Sequence, residues 1–218
     1  MPDTLEQRLM ACTLCHGEQG RSTNEGYFPR IAGKPAGYLY NQLLHFKEGR
    51  RNNPGMTSLL DHLGEDYLRD IAGYFGGLDL PYPPPQTPVA SAQELDHGRA
   101  LVREGDPSRE LPACAACHGE ALTGRQPDIP GLLGLPRDYL LGQLGAWQTG
   151  LRKAYAPDCM AHIAKRLTPR DVAAVTSWLA AQPLPSDTHP AEALTKPLPL
   201  RCGDGQAGGA DASQEVRR

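Results

Sequence analysis

The six-residue pattern Cys-x-x-Cys-His-Gly occurs twice, once at Cys12, Cys15, His16 and Gly17 and again at Cys114, Cys117, His118 and Gly119. No other feature restricts the chain as strongly, because two thiols and an imidazole at this spacing suit few chemistries. A shared zinc ion is one. Paired Cys-x-x-Cys knuckles that hold a single ion lie roughly 15 to 20 residues apart, whereas about a hundred residues separate these motifs. A redox dithiol is another, and it expects a helix start behind a strand of a parallel sheet. Nothing strand-like precedes either motif. The third is covalent haem: two thiols add as thioethers across the two vinyl groups of one porphyrin, and the following His presents a ring nitrogen to the iron. Two motifs in register favour this third reading. It makes Cys12, Cys15, Cys114 and Cys117 the thioether sites, His16 and His118 iron ligands, and two covalent haem c groups the expected cofactors.

The repetition reaches well past the cysteines. Shifted by about 101 residues, FPRIAGKP (28–35) lies over IPGLLGLP (129–136), and YLYNQLLHFKEG (38–49) lies over YLLGQLGAWQTG (139–150). Further on, LGEDYLRDIAGYF (63–75) lies over LTPRDVAAVTSWL (167–179). Apolar residues in these last segments recur at helical spacing, as at Leu68, Ile71 and Phe75 or Val172, Val175 and Leu179. Thr168 and Pro169 make a good cap and first residue for the later helix. The expected fold is all-α: a first unit over residues 1–80, a second over 91–182, and a linker over 81–90. That linker, PYPPPQTPVA, cannot be a helix interior and is expected to be a stiff extended spacer. Residues 183–218 lack periodicity and read as an extended tail, disordered at its end.

Two units of this size need cores, yet the chain has only three Phe and two Trp. A porphyrin would supply the missing apolar surface in each. The formal net charge of −3 comes from scattered residues, with no basic stripe for nucleic acid and no polybasic membrane patch. Apolar runs fall short of the roughly 18 to 20 residues that a membrane span needs. The start of the sequence also lacks the basic and apolar regions of an export signal. An exported protein would therefore have its signal absent from this sequence.

Each haem iron has a sixth position to fill. Of the four methionines, Met10 is too near Cys12 to reach the opposite haem face and Met1 is terminal. That leaves Met56 and Met160, each about 40 residues after its motif, behind a Pro-containing turn and before the last helix of its unit. Equivalent placement favours ligation over core filling. His162 and Cys159 are rivals in the second unit, while His45, His62, His97 and His189 read as surface or satisfied side chains.

The pattern from Cys12, Cys15 and His16 to Met56, repeated from Cys114, Cys117 and His118 to Met160, resembles the tandem di-haem class I c-type cytochromes of bacteria. The resemblance implies two small helical cytochrome c domains, each built around a covalent haem, with the haems facing one another, in the periplasm. It further implies that the carbonyls of Pro29 and Pro130 accept the Nδ1 protons of His16 and His118, and that Gly98 on a first helix meets Trp178 on a last one. No glycine matches Gly98 in the first unit, whose first helix is short, and the tail with Cys202 lies outside the usual pattern.

Irons with both axial positions filled by protein can only gain and lose electrons, and thioether ligation favours the reduced state. The leading reading is an electron relay rather than an enzyme. It passes single electrons from a donor dehydrogenase or quinol-oxidising complex to an acceptor such as a terminal oxidase, with membrane association only through a partner. The alternative is a di-haem enzyme of thiosulfate oxidation or peroxide reduction, as some cytochromes resembling this one are, with Cys159 as an unusual ligand or nucleophile. The favoured reading of Cys159 is instead a disulfide with Cys202, the only other unassigned cysteine, in an oxidising compartment, ahead of a structural thiol. Arg30, Lys34, Arg50, Arg51, Arg137, Arg152 and Lys153 either offset haem propionate charge or are solvated surface.

Overall fold

Several helices start where the sequence supplies a capping side chain. Asn53, Ser91, Asp158 and Thr168 each accept a backbone N–H of the following turn through their side chains, satisfying donors that a helix start leaves open. The computed structural model describes residues 4–22, 28–193 and 197–203. In its first half, α1 (Leu5–Arg8) and α2 (Met10–His16) lead into α3 (Ala36–Lys47), α4 (Pro54–Leu60) and α5 (Glu65–Gly76). In its second, α6 (Ala92–Arg103) and α7 (Cys114–His118) precede a hairpin of β1 (Gly124–Arg125) and β2 (Ile129–Pro130). Then come α8 (Arg137–Gln148), α9 (Cys159–Arg166) and α10 (Pro169–Ala180). The hairpin is antiparallel, with Gly124 opposite Pro130, and all other regular structure among the described residues is helical.

Each half closes over its own apolar cluster. Leu9, Leu44, Leu68, Ile71 and Phe75 centre the first, and Leu101, Val102, Leu122, Val175 and Leu179 the second. The helical spacing of Leu68, Ile71 and Phe75 and of Val172, Val175 and Leu179 therefore marks buried faces, all at 6% exposure or less. In the second half α6 crosses α10 at Gly98. A Cβ built there would lie 2.3 Å from the Ala174 carbonyl oxygen and 3.1 Å from Trp178 Cβ. The glycine thus answers first to the backbone of α10, and to the expected aromatic only second.

The proline-rich segment has no helix or strand, but it is not a free spacer. Gln86 donates its backbone N–H to the Ala180 carbonyl at 2.9 Å and accepts from the Arg137 N–H at 2.9 Å. Arg30 donates to the Leu80 and Pro81 carbonyls and lies 3.9 Å over the Tyr82 ring. The tail is also engaged: Ala191 donates to Gly124 and accepts from Gln126, running parallel beside Arg125. Cys202 is joined to Cys159. Disorder expected at the chain end concerns residues outside those described.

Candidate functional site: two histidine–methionine constellations

The two motifs fold alike. Each ends a short helix, α2 or α7, whose last residue is the histidine, and the next residue turns the chain with positive φ, 76° at Gly17 and 87° at Gly119. That left-handed region explains why the pattern extends to Gly. Within the turn, His16 Nδ1–H donates to the Pro29 carbonyl at 2.8 Å and His118 Nδ1–H to the Pro130 carbonyl at 2.7 Å. A carbonyl can only accept, so both rings carry their proton on Nδ1 and keep the Nε2 lone pair for a metal. Burial holds both imidazoles below their ordinary pKa, against the raising effect of those hydrogen bonds. The rings are therefore neutral at physiological pH, as a ligand must be.

The thiols show a related bias. Burial pushes Cys12 and Cys117 up and Cys114 up to about 11. Protonated thiols of this kind are poor nucleophiles and poor zinc ligands, and they are the species whose S–H adds across a vinyl group. Among the described residues no three His, Cys, Asp or Glu side chains come close enough to share an ion, so the two motifs do not converge on one metal.

Met56 and Met160 are half-buried, and each sits in the first turn of a short helix rather than in a bare turn. Asn53 accepts from the Met56 N–H at 3.1 Å, and Asp158 accepts from Ala161 at 2.9 Å and from Ala154 at 2.6 Å. These caps fix where each thioether starts from the backbone. Cys159, one residue before Met160, is bonded to Cys202, and His162 lies one turn into α9, 3.1 Å from the Arg166 guanidinium.

A second set of residues joins the halves. Arg51 donates to Gln42 Oε1 at 3.1 Å and to Gln143 Oε1 at 3.0 Å, and Arg152 to the same two oxygens at 2.9 and 2.6 Å. Arg152 also reaches the Tyr38 hydroxyl and stacks 3.8 Å from the Trp147 ring. No carboxylate pairs with either guanidinium among the described residues, although Arg152 is only 5% exposed. Burial holds the Arg152 guanidinium below its ordinary value, with the Arg51 charge beside it adding to that effect. Trp147 Nε1, under the Arg152 guanidinium, and Arg125 Nε, in the hairpin, are buried donors without an acceptor among the described residues. Two guanidiniums without a carboxylate partner and the orphaned N–H of Trp147 make a donor set that the carboxylate-bearing edges of two haems would satisfy. On these grounds the histidines, thiols and cations fit the cofactor.

Of the candidate cations, Arg30 and Lys34 are buried, as Arg152 is, whereas Arg50 and Lys153 stay accessible. Lys34, 4% exposed, donates from Nζ to the Gly131 carbonyl at 3.3 Å, and burial pushes its ammonium down to about 8. Sequence left these cations undecided between a buried role and a solvated one, since each lies on no apolar periodicity of its own. His62 and His189 are surface residues and His97 is paired with Asp171 at 2.7 Å. His45 corrects the expectation: it is buried, its Nε2 has no partner among the described residues, and its ring meets Tyr155 edge-on at 4.9 Å.

That environment has a measurable consequence. Burial, with the Arg152 charge next in size, pushes the His45 imidazole down to about 4. The unfolded chain takes up this proton near the ordinary value, so the stability due to neutral His45 is full above about pH 6.5 and is lost as pH falls toward 4. His45→Gln is expected to shrink the fall in thermal midpoint between about pH 7 and about pH 5. An undiminished fall would exclude His45 as its source.

No family model matches the chain. A thiosulfate dehydrogenase electron acceptor of Thiomonas intermedia is 35% identical over 174 residues, spanning 80% of this chain and 79% of its own length. A cytochrome c4 of Pseudomonas aeruginosa is 31% identical over 176 residues, spanning 80% and 85%. The crystal structure of reduced cytochrome c4 from Pseudomonas stutzeri superposes with a TM-score of 0.67 at 28% identity, covering 81% of this chain and 95% of that one.

Proposed function

Since the chain belongs to the cytochrome c4 family of di-haem c-type cytochromes, we propose that His16 with Met56 and His118 with Met160 are the axial ligands of its two irons. The chain carries two covalently bound haem c groups and relays electrons between redox complexes. Each group supplies one reversible one-electron centre. Thioethers at Cys12, Cys15, Cys114 and Cys117 anchor them, in units spanning 1–80 and 91–182 with 81–90 as linker and 183–218 as tail.

The observation that carries this reading is the repeated pairing of a histidine Nδ1–H with a proline carbonyl, followed in each half by one methionine in a capped first turn. Pro29 and Pro130 fix ring orientation and strengthen Nε2 as a donor. Met56 and Met160 take the position that a substrate would need, and their thioethers favour the reduced state. Arg51 and Arg152, with Tyr38 and Trp147, would hold the propionates between the halves.

The donor we infer is a sulfur-compound dehydrogenase, supported by the Thiomonas relative named as the electron acceptor of one. The acceptor is a terminal oxidase, and the setting is the periplasm. No helix among the described residues is long and apolar enough to cross a membrane. A carrier rather than an enzyme is supported by Cys159, which its bond to Cys202 leaves with no thiolate for iron or a sulfur substrate.

Met56→Ala and Met160→Ala test the ligation. Each is expected to remove about half of the intensity of the methionine-to-iron charge-transfer band in the oxidised protein and to introduce a high-spin signal, because one iron loses its thioether. Retention of the full band in either variant would reject that methionine. Turnover of thiosulfate by the chain alone would reject the carrier.

A further inference from the structure

Lys34 breaks the likeness between the halves. In the repeat it lies over Leu135, within FPRIAGKP and IPGLLGLP. Both side chains are buried, at 4% and 7% exposure, but one is a cation. Lys34 does not serve its own half. Its Nζ donates across the interface to the Gly131 carbonyl, and the residue before Gly131 is Pro130, whose carbonyl holds His118. Nothing equivalent returns from the second half, since Leu135 has no charge to offer Arg30, the residue of the first half that corresponds to Gly131.

The charge is also uncompensated. No ion pair links Lys34 to a carboxylate among the described residues, and the charged neighbour that acts on it is another cation, Arg30. Arg30 is occupied by the Ala32, Leu80 and Pro81 carbonyls and the Tyr82 ring. A buried ammonium held by one long hydrogen bond is destabilising in itself. Its field, however, is weakly screened, and it bears on the residue next to Pro130, whose carbonyl holds the His118 ring.

We propose that Lys34 makes the two redox sites unequal: the first half lends a positive charge to the second, favouring the reduced state at His118 over the reduced state at His16. The proposal rests on the ligation reading above. Two effects act with the same sign. Adding an electron lowers the net charge of a site by one, which a nearby cation favours. A cation on the Gly131 carbonyl also opposes the polarisation of the adjoining Pro130 carbonyl that lets His118 push electron density toward iron. Lys34 touches neither iron ligand and is a positioning residue of the field, not a catalytic one.

The test uses the full-length holoprotein and its Lys34→Met and Lys34→Arg variants. Methionine matches the length of the lysine and enters a site whose counterpart is already Leu135, so the fold is retained; Lys34→Leu is the second choice if Met packs poorly. Paramagnetic NMR of the ligand methionine methyls resolves the two sites during a redox titration. In Lys34→Met the electron-affinity ratio of the second site over the first is expected to fall by about threefold or more, with most of the change at the second site, while Lys34→Arg keeps the parent ratio. Equal movement of both sites, or no movement, would overturn the proposal. The oxidised spectrum separates the two readings. A low-spin methionine-ligated spectrum with an unmoved ratio defeats only Lys34, whereas its absence in the parent protein defeats the ligation.

Discussion

Replacing Cys12, Cys15, Cys114 and Cys117 together by Ser is expected to leave a chain with no cooperative thermal transition. Without thioethers the haems are not retained, and each half must close over what its side chains supply. With three Phe and two Trp in 218 residues, that supply is small. Burying the apolar faces of a porphyrin contributes on the order of 10 kcal/mol per half, at about 25 cal/mol for each Å² removed from water. Folded domains are stable by about 5 to 15 kcal/mol in total, so the loss is comparable to the whole. The exposed cluster would also strand the uncompensated Arg51 and Arg152 in an interface with no anion to meet them. Calorimetry and near-ultraviolet circular dichroism of the quadruple variant check this, and a sharp melting transition would show that the helices hold together without the cofactor.

The substitution Gly98→Val is expected to destroy the second half selectively. Even a single Cβ would stand 2.3 Å from the Ala174 carbonyl oxygen and 2.6 Å from its carbon. Both belong to the backbone of α10, which cannot step aside without lifting Val172, Val175 and Leu179 from the core. At the same crossing Asp171 is hydrogen-bonded to His97 at 2.7 Å, and it also pairs with Arg109, in the turn after α6, at 2.7 Å. Spreading the helices would break those as well, for a destabilisation of more than about 4 kcal/mol. The observable is haem content: purified Gly98→Val should carry closer to one haem per chain than two, with the His118 signals missing. Gly73→Ala in α5, where a Cβ meets nothing within 4 Å, serves as the control and should be neutral or stabilising by about 1 kcal/mol. Full loading of Gly98→Val would show that α6 and α10 can part at this crossing without loss of the second haem.

Residues that act through local spacing were legible without coordinates. The two motifs, the helical faces of Leu68, Ile71 and Phe75, and the Thr168 cap all depend on neighbours a few positions away, where period and cap chemistry leave a pattern. The resemblance to tandem cytochromes added Pro29 and Pro130, which a pattern alone does not single out. Lys34, His45 and the Arg51–Arg152 cluster were not legible, because burial at those sites is created by the other half of the molecule. A lysine whose partner is Gly131 leaves no trace in its own flanking sequence, and lysine is ordinarily solvated. His45 gives no sign of its burial in its flanking sequence for the same reason: Tyr155, from the other half, packs on its ring. The methionines fell between these cases. Their spacing was readable, but the Asn53 and Asp158 caps that draw them into helices required the observed turns.

The guanidinium–glutamine cluster has a form with a history in it. Arg51 reaches Gln143 while Arg152 reaches Gln42, and the two arginines face each other across an antiparallel bridge. Residue i of one half meets residue j of the other, and j meets i, which is the signature of a twofold axis between identical subunits. A lone half bearing one such arginine and one such glutamine is therefore self-complementary. Duplication in tandem would have converted a dimer already formed into a single chain, and only afterwards could changes such as Lys34 opposite Leu135 make its two members different.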